Sequence, residues 1–438
     1  MKPESIVDPD TYVEDVPHEL FTDLRHEGAL VWVDEPAIDN WPPGPGLWAV
    51  LRHAEAAQVL RTPQVFSSSA GLTQIYDAPP PLLPALRTMM INMDPPEHSR
   101  LRGLLTKAFT PRAVNLLETA IRARANTLVD AVASRGEADF ARDITADLPL
   151  YTLVDVLGVP ESDRWLLFDW GNRVIGLLDD EYHNSDVFDP SQATDMARRA
   201  LQVRPKPDEN GKMPDSRRPE GMADLYAYAR ELGEYRRRNP GNDIMSLLMQ
   251  QVDEEGGRVS LEEFERLFFL FAVAGNETVR NALPGGMFAL LHYPEQYARL
   301  CNDRTLLDKA VEEMLRWWSP VIQFRRTAVA DVEIGGRQVH AGDKVVVYFS
   351  SANRDERIFD DPQQFLIDRD PNPHLAFGHG PHFCVAAHLA RVQMRAMFSA
   401  VLDKLGDIEL AGEPVRLRSN FQNGIKHLPI RWSPNVGR

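Results

Sequence analysis

Between His374 and Arg391 the chain reads HLAFGHGPHFCVAAHLAR. Gly378, Gly380 and Pro381 form a turn that delivers Cys384 to the start of an amphipathic helix. Backbone amides in such a turn, together with the positive end of the helix dipole, stabilise a thiolate, and the thiolate is the form that binds iron. Glycines let those amides approach the sulfur closely. A lone cysteine is more often a small buried hydrophobe. That reading is kept for Cys301, the only other cysteine, which follows a helical stretch ending in Leu300.

Other groups could do chemistry. Ala274-Gly275-Asn276-Glu277-Thr278 lies inside a long helical pattern beginning near Ser260. An acid and a hydroxyl in a mostly apolar helix are costly to bury without partners or a wet channel, and alone these five residues fit a solvated helix face equally well. Glu313 and Arg316, in VEEMLRWW, share one helical face; as a surface pair they would contribute little. His98 and Arg102 stand one turn apart in DPPEHSRLR, Arg326 lies in FRRTA and Arg369 in FLIDR. Singly, each basic residue reads as exposed.

Jointly they read otherwise. Phe377, Gly378, Gly380, His382 and Cys384 have the spacing of the haem-binding loop of the cytochrome P-450 superfamily, which this chain resembles over four motifs in order from Asp94 to Cys384. The match extends to ANRDERIFDDPQQF and, more loosely, to SNFQNGIKHLP. The resemblance implies a mainly α fold with a smaller β portion and a long central helix over a buried haem b whose axial ligand is the Cys384 thiolate. Such a thiolate pushes electron density toward cleavage of the oxygen bond.

It further implies that Ala274 and Gly275 make room above the iron and that Glu277 and Thr278 manage protons. His98, Arg102, Arg326 and His382 would bind the haem propionates, anions that need cationic or hydrogen-bonding partners in an apolar pocket. Glu313, Arg316 and Arg369 would form a buried structural pair with a third member. Ala386 departs from the pattern, because the family usually has glycine there, and this puts the local geometry in question. Pro284 falls where the family helix continues and is expected to bend it locally.

These residues need elements to position them. Apolar spacings of three and four predict helices over Pro111–Arg135, Leu225–Arg238, Ser260 to about Leu291, Thr305–Trp318 and Val385–Leu405. Ser260 and Glu263 form a capping box for the longest. Strand-like pieces lie at Ala29–Val33, Leu47–Leu51 and Lys344–Phe349, with a hairpin through Gly335-Gly336. Ser67–Met90 and 202–221 read as long loops. The whole of 1–438 is expected to be one domain, with a flexible segment at about 1–18.

With 43% hydrophobic and 26% charged residues, the composition is that of an ordinary globular enzyme. Two cysteines give no disulfide framework. The longest apolar run, Leu267–Ala274, is far too short to span a bilayer, and the N-terminus shows no signal or anchor; a cytoplasmic protein is expected. A formal charge of −16 disfavours nucleic acid and anionic membranes.

The expected activity is insertion of one oxygen atom from dioxygen into a C–H bond of a lipophilic small molecule, with a terpenoid, steroid or branched lipid favoured. Electrons would come from NAD(P)H through a ferredoxin and a ferredoxin reductase. Arg100, Lys107, Arg112, Arg391 and Arg395 are the candidate docking face. The pocket is expected around Leu72, Ile75, Leu82, Leu86, Met89, Met90, Phe271, Val321, Ile322 and Phe421. Two other functions fit the same motifs: a tailoring oxidase acting on a peptide or polyketide intermediate held by a carrier protein that contacts 202–221, and a non-enzymatic haem sensor. Glu277 and Thr278 argue against the sensor, which has no use for a proton relay.

Overall fold

The computed structural model of the chain describes residues 1–433 apart from 40, 107, 184–189, 210, 212 and 254–258. The largest sheet carries β1 (Leu30–Val33), β2 (Leu47–Val50), β3 (Phe66–Ser67), β4 (Gln323–Ala328) and β5 (Lys344–Tyr348), in the order β1-β2-β5-β4-β3. β2 and β5 run parallel, and the other neighbours are antiparallel. All five residues of β5 are buried, as its Val-Val-Val run predicts for a strand covered on both faces.

The helices that frame the site are α1 (His53–Arg61), α2 (Glu97–Thr106), α3 (Pro111–Asp130), α4 (Asp147–Leu157), α5 (Arg164–Ile175), α6 (Ala223–Arg238), α7 (Leu261–His292), α8 (Leu307–Trp318) and α9 (Ala387–Lys404). The apolar faces of α2 to α9 meet in one large core, and that of α1 packs in a separate core with β2 and β5. The five helices expected from apolar spacing are present as α3, α6, α7, α8 and α9, with α3 ending at Asp130. The hairpin pairs Val332–Ile334 with Arg337–Val339.

α7 begins as its residues dictate. The Ser260 hydroxyl accepts from the Glu263 amide at 3.1 Å, and the Glu263 carboxylate accepts from the Ser260 amide at 2.8 Å. Pro284 does not end the helix, which runs on to His292. A Cβ at Gly285 would stand 2.2 Å from the Trp318 ring and one at Gly286 2.9 Å from Met314 Sδ. The Pro-Gly-Gly run therefore marks the place where α8 lies directly on the backbone of α7.

Three expectations are corrected. The segment at 1–18 is packed: Ile6, Val7 and Tyr12 are buried in a core shared with β1, β2 and β5, and the Tyr12 hydroxyl donates to the Ile6 carbonyl at 2.8 Å. Cys301 is exposed rather than buried; it lies near the end of the helix Pro294–Asn302, whose buried residues are Gln296 and Leu300. Ser67–Met90 holds a short helix, Leu83–Arg87, and Arg87 ties it to the Ser69 and Ala70 carbonyls at 2.9 and 3.0 Å.

The described part of 202–221 is largely irregular but anchored. Arg204 Nη2 donates to the buried Asp169 of α5 at 2.8 Å, and Asp169 also pairs with Arg173, itself 2.5 Å from Asp224 of α6. Such buried ions are tolerated only as a closed network. Among the described residues no helix is long and apolar enough to cross a membrane.

Candidate active site

A single cavity is bounded by α2, α4, α5, α7, the Ser67–Met90 segment and the cysteine loop, and its walls are mostly apolar. Cys384, Thr278 and Ala274 all line it. Gly378 and Gly380 take left-handed φ values of +71° and +68°, which glycine adopts without strain. A Cβ at Gly380 would stand 2.3 Å from the Leu60 carbonyl oxygen, so the loop lies directly on α1.

The Cys384 amide donates to the Phe377 carbonyl at 2.9 Å and closes the loop. Burial pushes the thiol up, opposed by the Ala386 backbone N–H and by the charges of Arg102 and Arg391. A bound metal cation would reverse that balance by displacing the proton. Ala386 has φ −97° and caps α9, so the position needs no glycine backbone, and its amide serves the sulfur with the methyl in place.

Four basic side chains expected at the propionates line the same cavity: His98, Arg102, Arg326 and His382. The His98 and His382 rings are 4.1 Å apart. Burial and Arg102 hold His98 down at about 4; burial, Arg326 and His98 hold His382 down at about 2. Burial likewise lowers Arg326 to about 10, opposed by Asp94. Asp94 is already engaged by the Ser68 amide at 2.8 Å.

His98 Nδ1 has no hydrogen-bond partner among the described residues. Among the described residues the Arg326 side chain makes one bond, to the Arg325 carbonyl at 2.8 Å, and His382 Nε2 lies 3.0 Å from the Met93 carbonyl and 3.2 Å from Ser68 Oγ. Buried cations and donors with so little satisfaction fit an anionic group held beside them. The residues present therefore suit a cofactor carrying carboxylates, with a soft ligand in Cys384.

On α7 the expected acid–hydroxyl pair divides. Thr278 lines the cavity and donates to the Ala274 carbonyl at 2.9 Å. Glu277 is fully buried against α5, where a Cβ on Gly171 would stand 2.6 Å from its Oε1. Its carboxylate lies 2.8 Å from Arg280 and accepts from Asn276 Nδ2 at 3.0 Å. Burial raises the Glu277 carboxyl, opposed by Arg280. Arg280 lies 4.7 Å from the ring centres of both Phe168 and Tyr182. Gly275 lines the cavity, but a Cβ there would stand 2.7 Å from Leu153 Cδ2, so its smallness serves α7–α4 packing.

Glu313, Arg316 and Arg369 come together. Arg316 grips the Glu313 carboxylate with two bonds of 2.7 Å, and Arg369 Nε adds contacts of 3.2 and 3.1 Å. The Leu366 amide and Asn372 Nδ2 complete the shell at 2.9 and 3.0 Å. Arg316 also donates to the carbonyls of Asn353, Pro362 and Gln364, each at 2.9 Å. The triad thus fastens α8 to the segment leading into the cysteine loop.

Of the expected pocket residues, Leu72, Leu86, Met89, Met90, Phe271, Val321 and Phe421 line the cavity. Ile75 and Ile322 do not: both are buried in the core beneath the N-terminal segment. Neighbouring residues of an extended chain point to opposite faces, so Val321 reaches the cavity and Ile322 turns away. Leu82 is half-buried outside the lining. Sequence reading missed Trp41, Tyr76, Leu153, Arg217 and Arg266, which line the cavity from distant segments.

Residues of the expected basic docking face are partly engaged within the chain itself. Arg391 is paired with Glu312 at 2.6 Å and stacks 4.4 Å from the Phe377 ring centre. Arg395 faces Asp308 at 3.4 Å, and Arg100 pairs with Glu263. Arg112 is exposed, and Lys107 lies outside the described residues. Arg391, Arg395 and Arg100 thus each face an acid of the chain itself.

A family model described as Cytochrome P450 matches residues 49–406. The chain is 36% identical to a steroid C26-monooxygenase of Mycolicibacterium smegmatis, covering 96% of this chain and 92% of that protein. It is 37% identical to a methyl-branched lipid omega-hydroxylase of Mycobacterium tuberculosis, with the same coverage of 96% and 92%. Among solved structures, a Mycobacterium marinum cytochrome P450 in complex with pseudoionone superposes with a TM-score of 0.81 at 36% identity, covering 95% of this chain and 94% of that one.

Proposed function

This chain belongs to the cytochrome P450 family of haem-thiolate monooxygenases, and on that premise we propose that it hydroxylates a terpenoid, steroid or branched lipid. The observation that carries the reading is the pairing, in one mostly apolar cavity, of the Cys384 thiol with the Thr278 hydroxyl. Apolar walls with few polar groups suit a lipophilic guest held chiefly by desolvation. The relatives named for steroid and branched-lipid oxidation support the same class.

In this reading Cys384 would bind the haem iron through its thiolate, and His98, Arg102, Arg326 and His382 would hold the propionates. The haem supplies dioxygen activation, with electrons delivered by external redox partners. Thr278 holds a proton at the cavity wall. Glu277, once it leaves its contact with Arg280 and takes a proton from water, is the internal acid that resupplies it. The apolar lining excludes bulk water from the reacting carbon. Glu313, Arg316 and Arg369 keep the cysteine loop in place and touch no substrate.

The test is a screen of haem-loaded protein with terpenoids, steroids, branched lipids and carrier-bound amino acids for the ferric spin-state change caused by displacing iron-bound water. The proposal expects the change with a lipid, followed by a hydroxylated product when ferredoxin, reductase and NAD(P)H are added. A response to carrier-bound substrates alone, or binding without product, would overturn it.

A further inference from the structure

We propose that Arg266 receives the carboxylate of an elongated acid substrate, so that oxidation falls on the end of the molecule remote from its head group. The inference rests on the reading of the cavity as a lipid-oxidation site and deepens it.

Most basic side chains on the cavity wall have an assignment. His98, Arg102, Arg326 and His382 gather on the cysteine side, and Arg217 is neutralised by Asp215 at 2.7 Å. Arg266 remains. It is 9% exposed and lines the cavity. Its guanidinium lies 4.8 Å from the Tyr226 ring centre and donates to the Tyr226 hydroxyl. Its carboxylate contact, Glu262, is 3.9 Å away and its side chain is 60% exposed.

A phenol hydroxyl and a distant, hydrated acid do not neutralise a cation that has left water. A carboxylate does, and the planar guanidinium is shaped to take one through two parallel bonds. Tyr226 also lines the cavity, and its hydroxyl, accepting from Arg266, keeps its own hydrogen to donate to the same anion.

Position on α7 gives the site its consequence. Arg266 precedes Thr278 by twelve residues on one helix, or ~18 Å at ~1.5 Å per residue. Leu270, Phe271 and Ala274 line the cavity between them. A lipid anchored by its acid at Arg266 therefore lies along an apolar wall and presents its tail beside Thr278. This helix measures the substrate.

The haem-loaded full chain is titrated with isopalmitic acid and with its methyl ester, and the ferric spin-state change gives both Kd values. The acid is expected to bind about tenfold more tightly than the ester, as one good ion pair requires. In Arg266→Gln the ratio falls to about two or less, and Arg266→Lys retains part of it because the charge stays without the fork. Should Arg266→Gln fail to load haem, Arg266→Met keeps the packing of the stem and is read the same way.

Equal binding of acid and ester by the unmodified protein, or a full ratio surviving in the Gln or Met variant, overturns the proposal. A response to the neutral terpenoid pseudoionone with none to either isopalmitate overturns it while leaving the lipid reading intact. No response to any of the three overturns both.

Discussion

Glu277 and Arg280 meet in a 2.8 Å ion pair within α7, packed against α5 beside the cavity that Thr278 lines. Arg280 is buried, held by Asn172 at 2.8 Å and by two aromatic rings. Removing it leaves a carboxylate without its cation. Arg280→Leu is expected to lower unfolding free energy by about 3–5 kcal/mol, read from urea unfolding. Adding Glu277→Gln to that variant should restore part of the loss, since the uncompensated charge is then gone. A loss below about 1 kcal/mol in the single variant would mean that the pair carries little.

Thr278→Ala tests the proton-holding hydroxyl. The helix survives, because Ala is the better helix former and the lost side-chain bond runs only to the Ala274 carbonyl. Product formed per NAD(P)H consumed is expected to fall about tenfold or more, at the lower range of acid–base effects, with KM little changed. Unchanged coupling would remove Thr278 from proton handling.

Glu313 is buried with Arg316 and Arg369 on one carboxylate. Glu313→Ala strands two guanidiniums and should cost about 3–5 kcal/mol. The readouts are haem content after expression and urea unfolding of whatever folds. Full haem loading with unchanged stability would contradict the bracing role.

Glu312 gives a pH dependence. Although burial opposes it, hydrogen bonds from Arg391 and His374 hold its carboxyl down at about 2, from an ordinary 4.5. Its folded value lies below its unfolded one, so its contribution is fully present above about 4.5 and is lost as pH falls toward about 2. Glu312→Gln should therefore be less stable than the parent at neutral pH, by on the order of 2–3 kcal/mol. The difference should shrink on acidification through that window. A difference independent of pH would contradict the linkage.

The chemistry-bearing motifs were legible because each is local. A loop of set spacing delivers Cys384, and one helical turn joins Glu313 to Arg316; backbone geometry alone fixes such relationships. The long helices were legible from apolar periodicity. Contacts between distant segments were not. Nothing local tells that Arg391 pairs with Glu312, or that Arg204 closes a buried network with Asp169, Arg173 and Asp224.

Facing was lost in the same way. Ile75 and Ile322 are as apolar as Leu72 and Val321, yet they point into the core beneath the N-terminal segment. Gly275 lines the cavity, and its missing Cβ also makes room for Leu153, a contact that no local pattern shows. The N-terminal segment packs through Ile6, Val7 and Tyr12, which are few and spread among acids and so form no local pattern.

The central claim is that Cys384 is the thiolate ligand of a haem. The direct measurement is the absorption spectrum of the ferrous carbon monoxide complex of the haem-loaded protein. The account predicts the red-shifted Soret band of thiolate ligation, abolished in Cys384→Ala. An unshifted band in the parent, or a red-shifted one that survives in Cys384→Ala, would contradict it.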